Sequence, residues 1–211
     1  MKKYELTDET LKIGAITLHR IKAVVAFADV SAGETGGWVE KEENLDQAGD
    51  AWVYGAARVY GAARVYGAAR VYGAAMVYGA AMVYGDAMVY GDAMVYGDAM
   101  VYGAARVYGD AMVYGAARVY GDACHLEIGP IGSRDDTITF TRDKKGGIHA
   151  AIGCFFGTLA EFREKVGKTH GENVHAQAYL LAAQLAELRI DTTPVDDGQE
   201  QLDKETENDG K

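Results

Sequence analysis

Two groups of side chains in the carboxyl-terminal third could do chemistry. The first is the loop Gly132-Ser133-Arg134-Asp135-Asp136-Thr137. Exposed amides, a hydroxyl and a guanidinium suit a phosphate or carboxylate, and the neighbouring acids could read ribose hydroxyls. The same residues also fit a solvated turn with an Arg-Asp pair, and neither a P-loop lysine nor a dinucleotide fingerprint accompanies them. The second group is Cys154, His170 and His175. A thiol with an imidazole is a nucleophile pair or half of a metal site. Four residues separate the two His, a loose ligand spacing, and further ligands would have to come from Cys124, His125 or His149. Against that, Cys154 follows an apolar stretch and precedes Phe155, where a buried, inert thiol is expected. His170, near a helix end, complements the helix dipole. Neither group holds a complete catalytic set, so no catalytic residue, metal or cofactor is assigned. Ser133, Arg134, Asp135, Asp136, Thr137, Cys154, His170 and His175 stand as candidates for binding a small anionic, nucleotide-like ligand.

These residues need elements to hold them. Residues 137–142 alternate and are β-branched, which predicts a strand. Asp143-Lys144-Lys145-Gly146-Gly147 reads as a hairpin turn and residues 148–156 as the return strand. Thr158-Leu159-Ala160-Glu161 is a capping box, and the helix it starts places Leu159, Phe162 and Val166 on one face until residues 167–173 break it. A second helix over about 174–190 is expected to turn Ala178, Leu181, Leu185 and Leu188 inward.

Upstream lies a six-residue repeat, twelve units from Asp50 with no insertion, such as Asp86-Ala87-Met88-Val89-Tyr90-Gly91. In an extended segment side chains alternate between faces. Ala and Val therefore point inward, Arg or Met and Tyr outward, and Gly turns the corner at positive φ. A period this short is that of one face of a parallel β-helix. The pattern Val-x-Gly-Asp-Ala-x resembles the hexapeptide repeat of left-handed parallel β-helices, which implies three units per triangular coil and about four regular coils. One face then carries Trp52, Arg70, Met88 and Arg106. The second carries Arg58, Met76, Met94 and Met112, and the third Arg64, Met82, Met100 and Arg118. The second face is the most apolar. Met76, Met94 and Met112 with Tyr78, Tyr96 and Tyr114 are either a homo-oligomer contact, trimer or dimer, or tyrosine ladders that stack between coils. An Ala–Val core is thin, so single units should not fold alone and both ends need caps.

At the amino-terminal end, residues 4–6, 16–19 and 21–27 read as short strands, and Gly33, Gly36 and Gly37 mark turns before Trp38-Val39. Leu45-Asp46-Gln47-Ala48-Gly49-Asp50 looks like a degenerate repeat with Gln47 in the Val position. Lys3-Tyr4-Glu5-Leu6, Ile21-Lys22-Ala23-Val24, Phe27-Ala28-Asp29-Val30, Ala32-Gly33-Glu34-Thr35-Gly36-Gly37-Trp38-Val39 and Asp50-Ala51-Trp52-Val53-Tyr54 resemble the start of the YdcK-like hexapeptide-repeat proteins, bacterial and phage-encoded. Gly129-Pro130-Ile131-Gly132-Ser133-Arg134, Gly153-Cys154-Phe155 and Thr169-His170-Gly171-Glu172-Asn173 with His175 resemble carboxyl-terminal domains of phage and prophage hexapeptide-repeat proteins. Many hexapeptide-repeat proteins are trimeric acyltransferases with a His base and a loop excursion. This repeat has neither, and only His125, at its exit, could serve as the base.

The net charge of −10 is uneven: −4 over residues 1–50, zero over 51–122 and 123–190, and −6 from Asp191 onward. That leaves no basic patch to hold a nucleic-acid backbone. There is no signal peptide or apolar run of transmembrane length, and two cysteines are too few for a disulfide framework. A cytoplasmic location is expected, in the host cytoplasm if phage-encoded. The fold expected is mainly β: an N-terminal β cap with a degenerate first coil over 1–49, a left-handed parallel β-helix over 50–123, a small α+β domain of a β-hairpin plus two helices over 124–190, and an acidic disordered tail over 191–211. The function expected is non-enzymatic binding or scaffolding with a nucleotide-like ligand, without nucleic acid or membrane. A hexapeptide-repeat acyltransferase and a purely structural spacer or assembly protein are the alternatives.

Overall fold

The computed structural model describes residues 1–115, 117–121, 124–143 and 145–194. Ala116, Asp122 and Ala123 of the repeat, Lys144 of the turn and residues 195–211 of the acidic tail lie outside the described residues. The chain divides into two compact units, Met1–Asp122 and Ala123–Lys211.

The first unit is a parallel β-solenoid. Its strands are two residues long, from β4 (Trp52–Val53) to β15 (Arg118–Val119), one per hexapeptide. Each pairs in parallel with the strand eighteen residues away, as Met76 with Met94 and Val77 with Val95. Three units therefore close one coil, and the three faces are the ones the repeat phase predicts. The Ala and Val side chains are fully buried from Ala51 and Val53 to Ala111 and Val113. Amides reach across coils, as from Met88 to the Ala105 carbonyl and from Tyr90 to the Val107 carbonyl, both 2.9 Å. At the corners Gly is needed twice over. Gly91 has φ +74°, and a Cβ there would stand 2.9 Å from the amide nitrogen of Gly109 in the next coil.

The cap adds antiparallel strands to one face. β1 (Tyr4–Ile13) pairs with β2 (Ile16–Ala23), β2 with β3 (Thr35–Val39), and β3 runs parallel to Arg58–Val59 of the second hexapeptide. Residues 4–13 form one long strand, and β2 stops at Ala23 instead of reaching Phe27. Gly36 and Gly37 are strand residues, not turn residues. A Cβ on Gly36 would meet Ile21 and Trp52 at 2.6 Å, and one on Gly37 would meet the Ala57 carbonyl at 2.7 Å. Trp52, expected to face outward, is fully buried, with Tyr4 and Phe27 edge-on at 6.0 and 5.4 Å.

In the degenerate repeat Leu45, not Gln47, takes the Val position, bridged to Val65 and fully buried. Gln47 instead serves the cap: its Oε1 accepts from the Lys3 amide at 2.9 Å and its Nε2 donates to the Tyr4 carbonyl at 3.2 Å. The Lys3 ammonium, in a residue only 4% exposed, donates to the carbonyls of Ala48, Gly49 and Ala51. These carbonyls have no earlier coil to accept from, and one side chain with three donors satisfies them. Burial lowers the Lys3 pKa to about 8, against the pull of Asp46 and Asp50.

The second unit is a four-stranded antiparallel sheet with two helices. The expected hairpin, β17 (Asp136–Arg142) with β18 (Ile148–Ile152), is its centre. β16 (His125–Ile131) flanks it on one side and β19 (Phe155–Thr158) on the other. The stretch expected to return as a single strand is thus broken by a turn at Gly153-Cys154. α1 (Leu159–His170) begins at the Thr158–Glu161 capping box and runs through Gly167, where the sequence pattern predicts a break. Asn173 caps α2 (Val174–Arg189), accepting from the amides of His175 and Ala176.

Ala178 packs against the core as the sequence predicts, but the orientation of α2 reverses the expectation for its leucines. Ala176, Tyr179, Ala182, Ala183 and Ala186 face inward, against a core that includes Ile138, Phe140 and Phe162. Leu181, Leu185 and Leu188 are exposed. Both faces of the helix are apolar, so periodicity does not choose between them. The small residues win because alanines let the helix approach its neighbours closely, with Tyr179 filling the remaining space. At the start of the acidic segment, the buried Arg142 donates to the carbonyls of Asp191 and Thr193 at 3.3 and 3.0 Å.

Candidate ligand-binding pocket

Residues distant in sequence meet around a cavity of about 220 Å³ in the second unit. β16 ends in a short 3-10 turn, Gly132–Arg134, which sets Ser133 and Arg134 at the lip. Asp135 closes that turn in the left-handed region (φ 52°, ψ 38°), a conformation Asp tolerates. Asp136 then opens β17 and faces the cavity. The Gly153-Cys154 turn supplies the opposite lip, and α1 supplies Lys165, Thr169 and His170. The floor is apolar: Ile152, Phe155, Phe162, Val166 and the ring of Tyr179. Phe162 meets Phe155 at 5.7 Å and Tyr179 at 5.9 Å, the latter edge to face at 86°. His170 lies 5.5 Å from Tyr179, ring centre to ring centre. Such contacts hold the rings in fixed rotamers.

Charge around the cavity is unevenly neutralised. On α1, Arg163 makes a bidentate pair with Glu187 at 2.9 and 2.7 Å, and Lys168 pairs with Glu164 one turn back. Lys165, the α1 cation at the cavity, forms no ion pair with any described residue, and neither does Arg134. Asp136 is the acid at the lip. Two unpaired cations beside an aromatic floor favour an anion that also carries a flat ring. The volume falls below the ~300–1,000 Å³ usual for drug-sized ligands, so a single-ring molecule fits better than a dinucleotide or coenzyme A.

Of the sequence candidates, Ser133, Arg134, Asp136, Cys154 and His170 line this cavity. Asp135, Thr137 and His175 do not. The Thr137 amide is engaged by Asp136 Oδ1 at 3.1 Å. His175 stands 6.1 Å from His170, ring to ring, outside the lining. Cys154 is exposed on its turn, not buried in a strand, and Cys124 is buried; both thiols are free. Among the described residues no group of three His, Cys, Asp or Glu is arranged to hold a metal ion.

Sequence reasoning missed Lys165 and Tyr179. Tyr179 is 7% exposed, and its hydroxyl lies where any side chain at position 132 would begin, 1.7 Å from an ideal Cβ on Gly132. No described residue bonds that hydroxyl. Burial raises its pKa, Asp136 adds to the rise and Arg134 opposes it. The signal was present: Tyr179 is the one aromatic residue of α2. It was hidden by reading the leucines as the inner face.

On the solenoid, the ladders are real. Tyr60, Tyr78, Tyr96 and Tyr114 stack at 5.1, 4.8 and 4.6 Å, with planes within 6° of one another. Met76, Met94, Met112 and these tyrosines are half-buried. The most buried outward cluster is on the third face, where Tyr84, Met100 and Tyr102 pack with Tyr66 and Met82. His125, at the foot of β16, is nearly buried, with Nε2 3.8 Å from Glu127 Oε1.

Fold and cavity together define a class: a parallel β-solenoid protein with an appended α+β unit that carries a small pocket. Within that class the solenoid is similar to the YdcK Beta solenoid repeat, which matches residues 57–73 and 105–121. Over 62 residues the chain is 36% identical to a protein of Escherichia coli (strain K12) named "Uncharacterized acetyltransferase YdcK". That match covers 26% of this chain and 19% of the relative, so it spans about a fifth of the relative's length. No helix among the described residues is long and apolar enough to cross a membrane.

Proposed function

We propose that this chain is a non-enzymatic binding protein of phage or prophage type. Its carboxyl-terminal unit holds a small anionic, nucleotide-like ligand in the host cytoplasm. The solenoid serves as a rigid scaffold and as a homo-oligomer surface through Met76, Met94 and Met112. The observation that supports the reading is the pairing of two uncompensated cations, Arg134 and Lys165, with a fixed aromatic floor. Native mass spectrometry and thermal shift with nucleoside monophosphates, free bases and inorganic phosphate test it. Wild type should bind a ring-bearing anion, and an Arg134→Ala, Lys165→Ala double variant should not. Binding by neither protein sinks the proposal.

A second reading, acyl transfer, draws on the printed name of the E. coli relative and on the Glu127 carboxylate beside His125. It requires turnover of acetyl-coenzyme A that His125→Ala removes. Unchanged turnover in that variant eliminates it.

A further inference from the structure

α2 is apolar on two opposite sides, and only one has a partner among the described residues. The inner side is the Ala176–Tyr179–Ala183 face already described. The outer side carries Val174, Leu181, Leu185 and Leu188, at 70, 64, 43 and 83% exposure. At 3.6 residues per turn and 1.5 Å per residue these four project within about 60° of arc, one straight stripe along ~21 Å of helix. Scattered exposed leucines mean little, but an aligned stripe marks a contact surface. Charge is sparse beside it, with Arg189 exposed on its flank at the helix end. Gln177, Gln184 and Ala178 flank the stripe, and Glu187 is turned away to pair with Arg163 of α1. Interface cores are depleted of charge in the same way.

The tail cannot be the occupant. Beyond residue 194 it offers only Val195 and Leu202 as apolar residues, among nine charged ones. A second copy of the chain fits on symmetry. Val174, Leu181 and Leu188 are spaced by seven, so a two-fold axis through Leu181 lays Val174 of one copy on Leu188 of the other. The same antiparallel arrangement sets Glu172, before the helix, near Arg189 of the second copy, and pairs each helix's positive end with the other's negative end. We propose that α2 is a self-complementary dimer seam, two copies crossing antiparallel about Leu181. It goes beyond the ligand reading and lies on a different unit from the methionine face.

Two helices of sixteen residues bury an area at the low end of stable complexes, ~1,200 Å² in all. The dimer is therefore reversible and follows concentration. Sedimentation velocity of the full chain from low to high micromolar concentration should show a rising mean mass. Leu181→Glu, which sets two carboxylates face to face on the axis, should weaken dimerisation at least tenfold with an unchanged circular dichroism spectrum. In a Cys154→Ser background, Leu181→Cys should cross-link to itself, and a mixture of Val174→Cys and Leu188→Cys chains should link to each other. A wild type that stays monomeric throughout overturns the seam. So does a dimer that survives Leu181→Glu, and a companion Met94→Glu variant then reports whether the solenoid face holds it. Self-linking of Leu188→Cys overturns the antiparallel arrangement.

Discussion

Replacing Gly91 with Ala, and Gly55 with Ala as its control, separates two reasons for glycine at the solenoid corner. The two glycines occupy the same corner column, two coils apart, and both have positive φ, +74° and +57°. An Ala held there costs about 1–2 kcal/mol of backbone strain in either variant. The loss of unfolded-chain entropy offsets about 0.4–1 kcal/mol of that, equally in both. At Gly55 nothing lies within 4 Å of the new methyl group, so strain is the whole effect. At Gly91 the methyl meets Gly109 at 2.9 Å (amide nitrogen), 3.0 Å (oxygen) and 3.2 Å (Cα). Ordinary contact would need the coils to part by several tenths of an ångström. The Asp92 amide to Gly109 carbonyl bond, 2.9 Å, spans this corner and stretches with it. Overpacking typically adds about 1–3 kcal/mol, and a weakened bond about 1 kcal/mol more. Gly91→Ala should therefore be less stable than Gly55→Ala by roughly 2–4 kcal/mol. Urea unfolding read by hydrogen exchange in peptides from residues 50–115 measures the difference directly. Equal destabilisation would mean that the corner needs glycine for φ alone and that coil spacing tolerates a methyl group.

The tyrosine ladders carry a pH signature. Burial raises the pKa of Tyr54 and Tyr78 to about 12 and also raises Tyr60, Tyr72 and Tyr96. A folded pKa above the unfolded value of about 10 means the native state keeps protons that the unfolded state loses. Their contribution is present below pH ~10 and fades as pH climbs towards 12, so tyrosinate absorbance and loss of β signal should rise together; ionisation well ahead of unfolding counts against buried ladders. Lys3 works the other way. Lowered to about 8, it favours the fold more as pH rises from 8 towards its unfolded value. Lys3→Met should leave the Ala48, Gly49 and Ala51 carbonyls unsatisfied and lower exchange protection in residues 44–54 by about 2–3 kcal/mol, while protection at residues 88–107 changes little. Tyr179→Phe removes one hydroxyl and keeps the ring. It should weaken a bound nucleoside monophosphate about 5- to 20-fold without altering inorganic phosphate binding, and equal affinities would show that the hydroxyl faces no ligand atom.

The solenoid was legible because its information is redundant. Twelve copies of one unit average out local ambiguity, and a period of six admits few solids. Where the repeat is unique the reading weakened. The hexapeptide frame puts Gln47 in the Val position, but Leu45 takes that position and Gln47 serves β1. The same frame points Trp52 outward, as it does the residue of that slot in every other unit. The cap covers that slot in the first coil only, and a frame cannot report what lies over it.

The pocket shows a different limit. Five of eight candidate residues meet there, although no motif links them. Chemistry-bearing residue types in glycine-rich turns, 132–137 and 153–154, were enough to mark the lips. The floor was invisible for a physical reason. It depends on which face of α2 turns inward, and that is decided by volume and not by hydropathy. Leu181, Leu185 and Leu188 hold more apolar surface than Ala176, Ala182, Ala183 and Ala186, so any hydrophobicity scale chooses the wrong side. Close approach to the sheet rewards small residues where the helix crosses it. The leucines left outside are then surplus to this unit's own core. The same fact that hid Tyr179 from the sequence therefore points to the second copy: a helix needs large apolar residues on the side away from its core only if something else is to cover them.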